Sequence, residues 1–114
     1  MVNKRELGKK YEDVAREYLV NKGYEILDSN FYTHYGEIDI IAKDGNYLVF
    51  IEVKYRKNTK YGNPLETISS RKIKNIRNSA VYYMYSKGVS QLQPIRFDVI
   101  GILDDEITLL QNAF

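Results

Sequence analysis

Apolar residues recur three and four positions apart near the start of the chain, at Leu7, Tyr11, Val14, Ala15, Tyr18 and Leu19. That period predicts a helix over about 6–22, stopped by Gly23. The stretch "YEILDSNF" reads as a strand whose end is weakened by Asp28, Ser29 and Asn30. Two more strands follow, over about 37–42 and 47–55, joined by a hairpin signal at Asp44-Gly45. "RKNTKYGNPLE" reads as loop, punctuated by Gly62 and Asn63-Pro64. Ser69 or Ser70 can cap a second helix reaching about residue 86, with Ile73, Ile76, Ala80 and Tyr83 as its apolar stripe. "PIRFDVIGIL" is a further strand, and Asp104 and Asp105 turn the chain into a last one near "ITLL". The predicted order is α-β-β-β-α-β-β, an α/β domain built on a mixed sheet.

The central hairpin carries charges inside otherwise apolar strands. A two-residue turn at Asp44-Gly45 sets Asp39 against Phe50 and Glu37 against Glu52. Asp39 and Glu52 then share a face with Lys54, the two acids about 7–8 Å apart at the backbone. Ile38, Ile40, Val49, Ile51 and Val53 form the opposite, apolar face. The charged face also holds Ile41, Leu48 and Phe50, so the sheet is expected to be covered on both sides. Carboxylates gathered in such a sheet need a cation or a proton. Lys54 can compensate one of Glu37, Asp39 and Glu52; a divalent ion such as Mg²⁺ is the natural partner of the rest. A plain Glu52–Lys54 ion pair at a sheet end is the simpler alternative. Glu12 adds a fourth acid: it lies at the edge of the first helix's apolar arc, in a row with Gly8, Ala15 and Leu19.

Length fits one compact domain spanning all 114 residues. The absence of cysteine excludes a disulfide framework and cysteine metal sites, in keeping with a reducing cytoplasm. No apolar run approaches the roughly 20 residues of a membrane span. Charge is uneven. From Lys54 to Arg77 there are eight basic residues and one acid, Glu66, a net of +7; with +2 for the whole chain, the remainder carries −5. Arg56, Lys57, Lys60, Arg71, Lys72 and Lys74 belong to this segment and suggest an anionic partner. Arg71, Lys72 and Lys74 oppose the dipole of the second helix, a cost that a phosphate backbone would reverse. His34 is read as a solvated or packed histidine rather than a base. Most of the eleven tyrosines are read as core or amphipathic surface, although Tyr55, Tyr61, Tyr82 and Tyr83 could stack on unpaired bases. Asp98 either supports the site or caps a turn. There is no P-loop, no G-x-S-x-G and no zinc signature.

The spacing of Asp39, Glu52 and Lys54 resembles that of the PD-(D/E)xK nucleases. More closely, the chain is similar to the YraN-like family of predicted endonucleases, relatives of archaeal Holliday-junction resolvases. The similarity runs through "GKKYEDVAREYLVNKGYEIL", "GEIDIIAKDG", "LVFIEVKYR", "YGNPLE" followed by Lys72, and "IRFDVIG". It implies a restriction-endonuclease-like sheet flanked by helices. It also implies Mg²⁺ or Mn²⁺ on Asp39 and Glu52, Lys54 assisting the attacking water, and Glu12 as an added helix acid. Glu37 matches the acid of the "GEID" stretch and Lys72 a basic position on the second helix. Two positions depart from the pattern: Ile38 stands where the superfamily has proline, and Tyr11 where relatives often have glycine. The implied activity is metal-dependent hydrolysis of DNA, branched or flapped, in repair or recombination, with a homodimer as an implied assembly. A nucleic-acid-binding module that kept the fold without cleaving is the alternative.

Overall fold

The computed structural model describes residues 4–60, 62–66 and 68–114. Tyr61, one of the tyrosines considered for base stacking, lies outside the described residues. Helix α1 spans Lys4–Asn21, and strands β1, β2 and β3 span Glu25–Thr33, Gly36–Asp44 and Tyr47–Arg56. A short 3-10 turn, Pro64–Glu66, precedes helix α2 at Ser70–Ser86. Strands β4 (Ile95–Leu103) and β5 (Glu106–Leu110) follow. This is the expected α-β-β-β-α-β-β order, the 3-10 turn being the one added element among the described residues. None of the described helices is long and apolar enough to cross a membrane.

The five strands form one sheet in chain order, antiparallel except for β3 against β4. The parallel pair needs a crossover, and α2 supplies it. Ser69 caps that helix, its side chain accepting from the Lys72 N–H at 3.1 Å, which satisfies one orphan donor of the first turn. Each face of the sheet is covered by a helix. On one, Ala15 and Leu19 of α1 pack on Ile40, Ala42, Val49, Ile51, Ile100 and Ile102. On the other, Ala80 and Tyr83 of α2 pack on Ile38, Ile41, Leu48 and Phe50.

Two details of the hairpin differ from expectation. The turn is Gly45-Asn46, with Asp44 opposite Tyr47, so Ile40 faces Ile51 and Phe50 faces Ile41 rather than Asp39. Gly45 has φ +58°, which a two-residue loop with glycine at its first central position requires. The register moves by two residues, so the strands keep their inward and outward sides. The second difference is the face assigned to Ile38. Regular alternation puts it beside Ile40, but it packs against α2 while Ile40 packs against α1. The alternation of β2 therefore breaks between them, at Asp39.

Candidate active site

The break has a visible cause on the neighbouring strand. The β1–β2 ladder pairs Ser29 with Ile40 and Phe31 with Ile38, omitting the Asn30–Asp39 pair between them. Asn30 sits in the left-handed region, φ +52°, which a short amide side chain tolerates better than a bulky residue. On its other side β2 leaves β3: that ladder stops at Ile40–Ile51, whereas β3 continues along β4 as far as Arg56–Leu103. Asp39 takes up the slack. Its Oδ2 accepts from the Val53 N–H at 2.8 Å, so the carboxylate replaces a strand-to-strand bond.

Three acids meet on the α1 side of this point. Oxygens of Glu12, Glu37 and Asp39 all lie within 4.8 Å of one another. Asn30 Nδ2 donates to Glu12 Oε1 at 2.7 Å and to Glu37 Oε1 at 2.6 Å, holding the pair from below. Glu52 lies outside that trio, on the α2 side. Its side chain is only 8% exposed, Lys72 Nζ stands 3.7 Å from Oε1, and among the described residues Oε2 has no hydrogen-bond partner. Lys54, two residues along the same strand, points to the same side as Glu52 while Val53 and Tyr55 pack toward α1.

The electrostatics follow from burial and crowding. Asp39 is pushed from an ordinary 3.8 up to about 8, first by burial and then by the negative charge of Glu52, with Glu12 and Glu37 adding to it. Burial also raises Glu52, against the pull of Lys72 and Lys54. Glu12 is raised by burial, partly offset by the Asn30 hydrogen bond. Burial lowers Lys54, which Glu52 opposes. Removing like-charged acids from water in this way holds protons on them unless a cation intervenes.

Residues 11–102 match the sequence pattern of a family described as "Uncharacterised protein family UPF0102". The chain belongs to the UPF0102 family. A UPF0102 protein of Thermodesulfovibrio yellowstonii is 48% identical over 109 residues, 96% of each chain. A UPF0102 protein of Lachnoclostridium phytofermentans is 44% identical over 99% of this chain and 96% of its own length. One of Clostridioides difficile is 44% identical over 99% of this chain and all of its own. The matched residues of this UPF0102 chain include Glu12, Asn30, Glu37, Asp39, Glu52, Lys54 and Lys72.

The basic residues divide into two groups. Lys72, expected among the phosphate-binding side chains, turns back toward Glu52. Arg71 and Lys74 are exposed on the first turn and a half of α2, and Lys57 and Lys60 are exposed in the loop that leaves β3. Arg56 is half-buried at the end of β3, one guanidinium nitrogen donating to the Tyr55 carbonyl at 3.0 Å. His34 is exposed and lies against Tyr35 in the turn between β1 and β2, apart from the acids. Asp98 is fully buried and belongs to a different assembly. It accepts from the Tyr24 hydroxyl at 2.8 Å, from Arg96 Nε at 2.8 Å and from the Asn112 N–H at 3.0 Å, tying the residue before β1, β4 and the C-terminal residues together. Asn30 is the site residue that sequence reasoning passed over. The available signal was an asparagine inside a run that otherwise reads as strand.

Proposed function

We propose that this UPF0102 protein is a metal-dependent endonuclease hydrolysing phosphodiester bonds in DNA, the activity implied by its resemblance to the PD-(D/E)xK nucleases. One observation carries the reading: Glu12, Glu37 and Asp39 meet where β2 parts from β3, with Glu52 near enough for its charge to raise Asp39, and among the described residues one buried Glu52 oxygen has no hydrogen-bond partner. A polar atom buried unpaired costs about 1–3 kcal/mol, and more when charged. Lys54 and Lys72 relieve the Glu52 side. Among the described residues, the hydrogen bonds given to the three acids of the α1 side come from neutral groups, Asn30 and Val53; Arg16, whose charge favours ionised Glu12, is itself paired with Asp13.

A hard divalent cation suits such an all-oxygen donor set. Glu12, Glu37 and Asp39 would hold Mg²⁺ or Mn²⁺, with Glu52 the next carboxylate. When bound, the ion stabilises charge on the phosphate and lowers the pKa of coordinated water. The protein's own contribution is positional. The Val53 N–H fixes Asp39, Asn30 fixes Glu12 and Glu37, and Lys54, its ammonium weakened by burial, is suited to orient the attacking water and meet developing negative charge. One proton-transfer group supplies about 10²–10⁴ of an acceleration that spans about 10⁶–10¹⁷, so Lys54 alone is not enough and a cation held by the acids would supply the larger part. Arg56, Lys57, Lys60, Arg71 and Lys74 supply the phosphate-binding rim.

Lys72 on Glu52 and Asn30 on Glu12 and Glu37 give several acids protein partners, and this favours a second reading, a DNA-binding module that does not cleave. A nicking assay on linear, flapped, single-stranded and four-way-junction DNA separates the two. With Mg²⁺ or Mn²⁺ the wild type should nick at least one of them; Asp39→Ala should abolish both nicking and calorimetric Mn²⁺ binding, and Glu52→Ala should abolish nicking and weaken Mn²⁺ binding. Equal Mn²⁺ titrations for all three proteins, or no nicking despite bound metal, would overturn the nuclease reading.

A further inference from the structure

A cleft of about 790 Å³ opens over the acidic trio, and its lining includes Gly8, Tyr11, Tyr32 and Tyr55 as well as the acids. That is within the range of about 300–1,000 Å³ that takes a small organic group. Tyr11 of α1 and Tyr55 of β3 are stacked on each other, ring centroids 3.7 Å apart and 15° from parallel. Tyr32 is on β1 and 71% exposed. It lies two strands from Tyr55, across the gap where β2 has parted from β3. Aromatic faces lining a cleft take the flat face of an unpaired base, which a duplex keeps stacked inside itself.

Gly8 is the unexplained part of this lining. It sits inside α1, where glycine is among the poorest helix formers. Its φ is not positive, so the backbone does not require glycine. A Cβ built on it meets nothing within 4 Å among the described residues, so their packing does not require glycine either. What a side chain would occupy is the cleft, one helical turn before Glu12. Exposed Lys9 also lines the cleft, a positive charge for a phosphate entering beside the acids.

We propose that this cleft receives an unpaired nucleotide, its base against the tyrosines and its phosphate over the acids, with Gly8 keeping the α1 wall open, so that single-stranded or flapped DNA is the substrate class. This rests on the nuclease reading for the role of the acids, but not for the binding itself. Stacking of one base on an aromatic side chain is worth roughly tenfold in affinity or more.

The test is fluorescence-anisotropy binding of a labelled single-stranded oligonucleotide, a flapped duplex and a blunt duplex in Ca²⁺. The proteins are wild type, Gly8→Ala, Gly8→Leu and Tyr55→Leu. Wild type should bind the single strand and the flap at least tenfold more tightly than the blunt duplex. Gly8→Leu should lose that preference and Gly8→Ala part of it, while both melt a few degrees higher because they are better helix formers. Tyr55→Leu should also lose it, which separates stacking from obstruction at Gly8. Unchanged single-strand affinity in Gly8→Leu, or equal affinity of the wild type for all three DNAs, overturns the proposal. Nicking that persists in Gly8→Leu with unchanged affinity overturns the cleft and leaves the nuclease reading. Gly8-dependent binding in a protein that never nicks supports the cleft and removes the nuclease reading.

Discussion

In metal-free buffer, Asp39→Asn should leave stability nearly unchanged below about pH 4 and make the protein increasingly more stable than wild type as pH rises toward 8. The carboxyl is pushed from 3.8 in the unfolded chain up to about 8 in the fold, by burial and then by Glu52. Between those values the folded protein keeps the proton and the unfolded chain has released it. Stability is therefore fully present below about pH 4, falls as pH rises, and levels off once the folded carboxyl ionises near pH 8. The steepest slope is about 1.36 kcal/mol per pH unit, so the fall from pH 5 to 8 is at most about 4 kcal/mol. Glu52 carries part of the same load, which brings the share of Asp39 to about 2–3 kcal/mol, or roughly 8–12 °C in Tm for a domain of this size. Asparagine removes the charge and keeps an oxygen for the Val53 N–H. Urea melts of both proteins in EDTA from pH 5 to 8.5 should diverge by that amount at the alkaline end. Mn²⁺ at a hundred times its Kd should return about 2.7 kcal/mol to the wild type and nothing to the variant. Parallel melting curves, or a variant less stable at pH 8, would show that Asp39 is neither crowded nor held protonated.

Asn30→Ala leaves Glu12 and Glu37 facing each other without their shared donor; it should cost about 1–3 kcal/mol in EDTA, and Mn²⁺ should restore most of it, as read by thermal melts. Lys54→Ala should slow nicking at least about 100-fold with DNA affinity within about twofold, since its role is at the water and not at the phosphate backbone; equal falls in both would make it a binding residue. Charge reversal at Lys57, Lys60 or Lys74 should weaken duplex binding and reduce the slope of log K against log salt by about 0.9 for each phosphate no longer neutralised. An unchanged slope would take that residue off the DNA.

The element order was legible because its signals are local: helical spacing in α1 and α2, Gly45 in the hairpin, Ser69 at the start of α2. The charged residues were legible too, because Asp39, Glu52 and Lys54 interrupt strands that are otherwise apolar. Their grouping was not. Placing the turn at Asp44-Gly45 instead of Gly45-Asn46 put Asp39 beside Phe50, and regular alternation put Ile38 on the face of Ile40. Both assumptions fail through backbone conformation, the positive φ of Gly45 and of Asn30, for which hydrophobic pattern carries no signal. The position of Lys72 was hidden for another reason. Net charge over 54–77 suggests a solvent-facing basic surface, and only the packing of α2 across the sheet brings this one ammonium within 3.7 Å of Glu52.

The site lies where the sheet gives up its own bonding. Asn30 and Asp39 do not pair, β2 stops bonding β3 after Ile40, and the freed Val53 N–H goes to a carboxylate. Those gaps are confined to one end of the sheet, while Ile40, Val49, Ile51 and Ile100 remain paired and buried beneath α1, and Ile41 and Phe50 beneath α2. The cores that hold the fold are thus separate from the acids that strain it. Neutralising an acid should therefore relieve repulsion without opening a cavity, and site variants should stay folded, with Asn30→Ala the exception because it removes a donor and not a charge. A protein shaped only for stability would have a ladder bond at Asp39 and a side chain at Gly8; this chain has neither, and both positions face the same cleft.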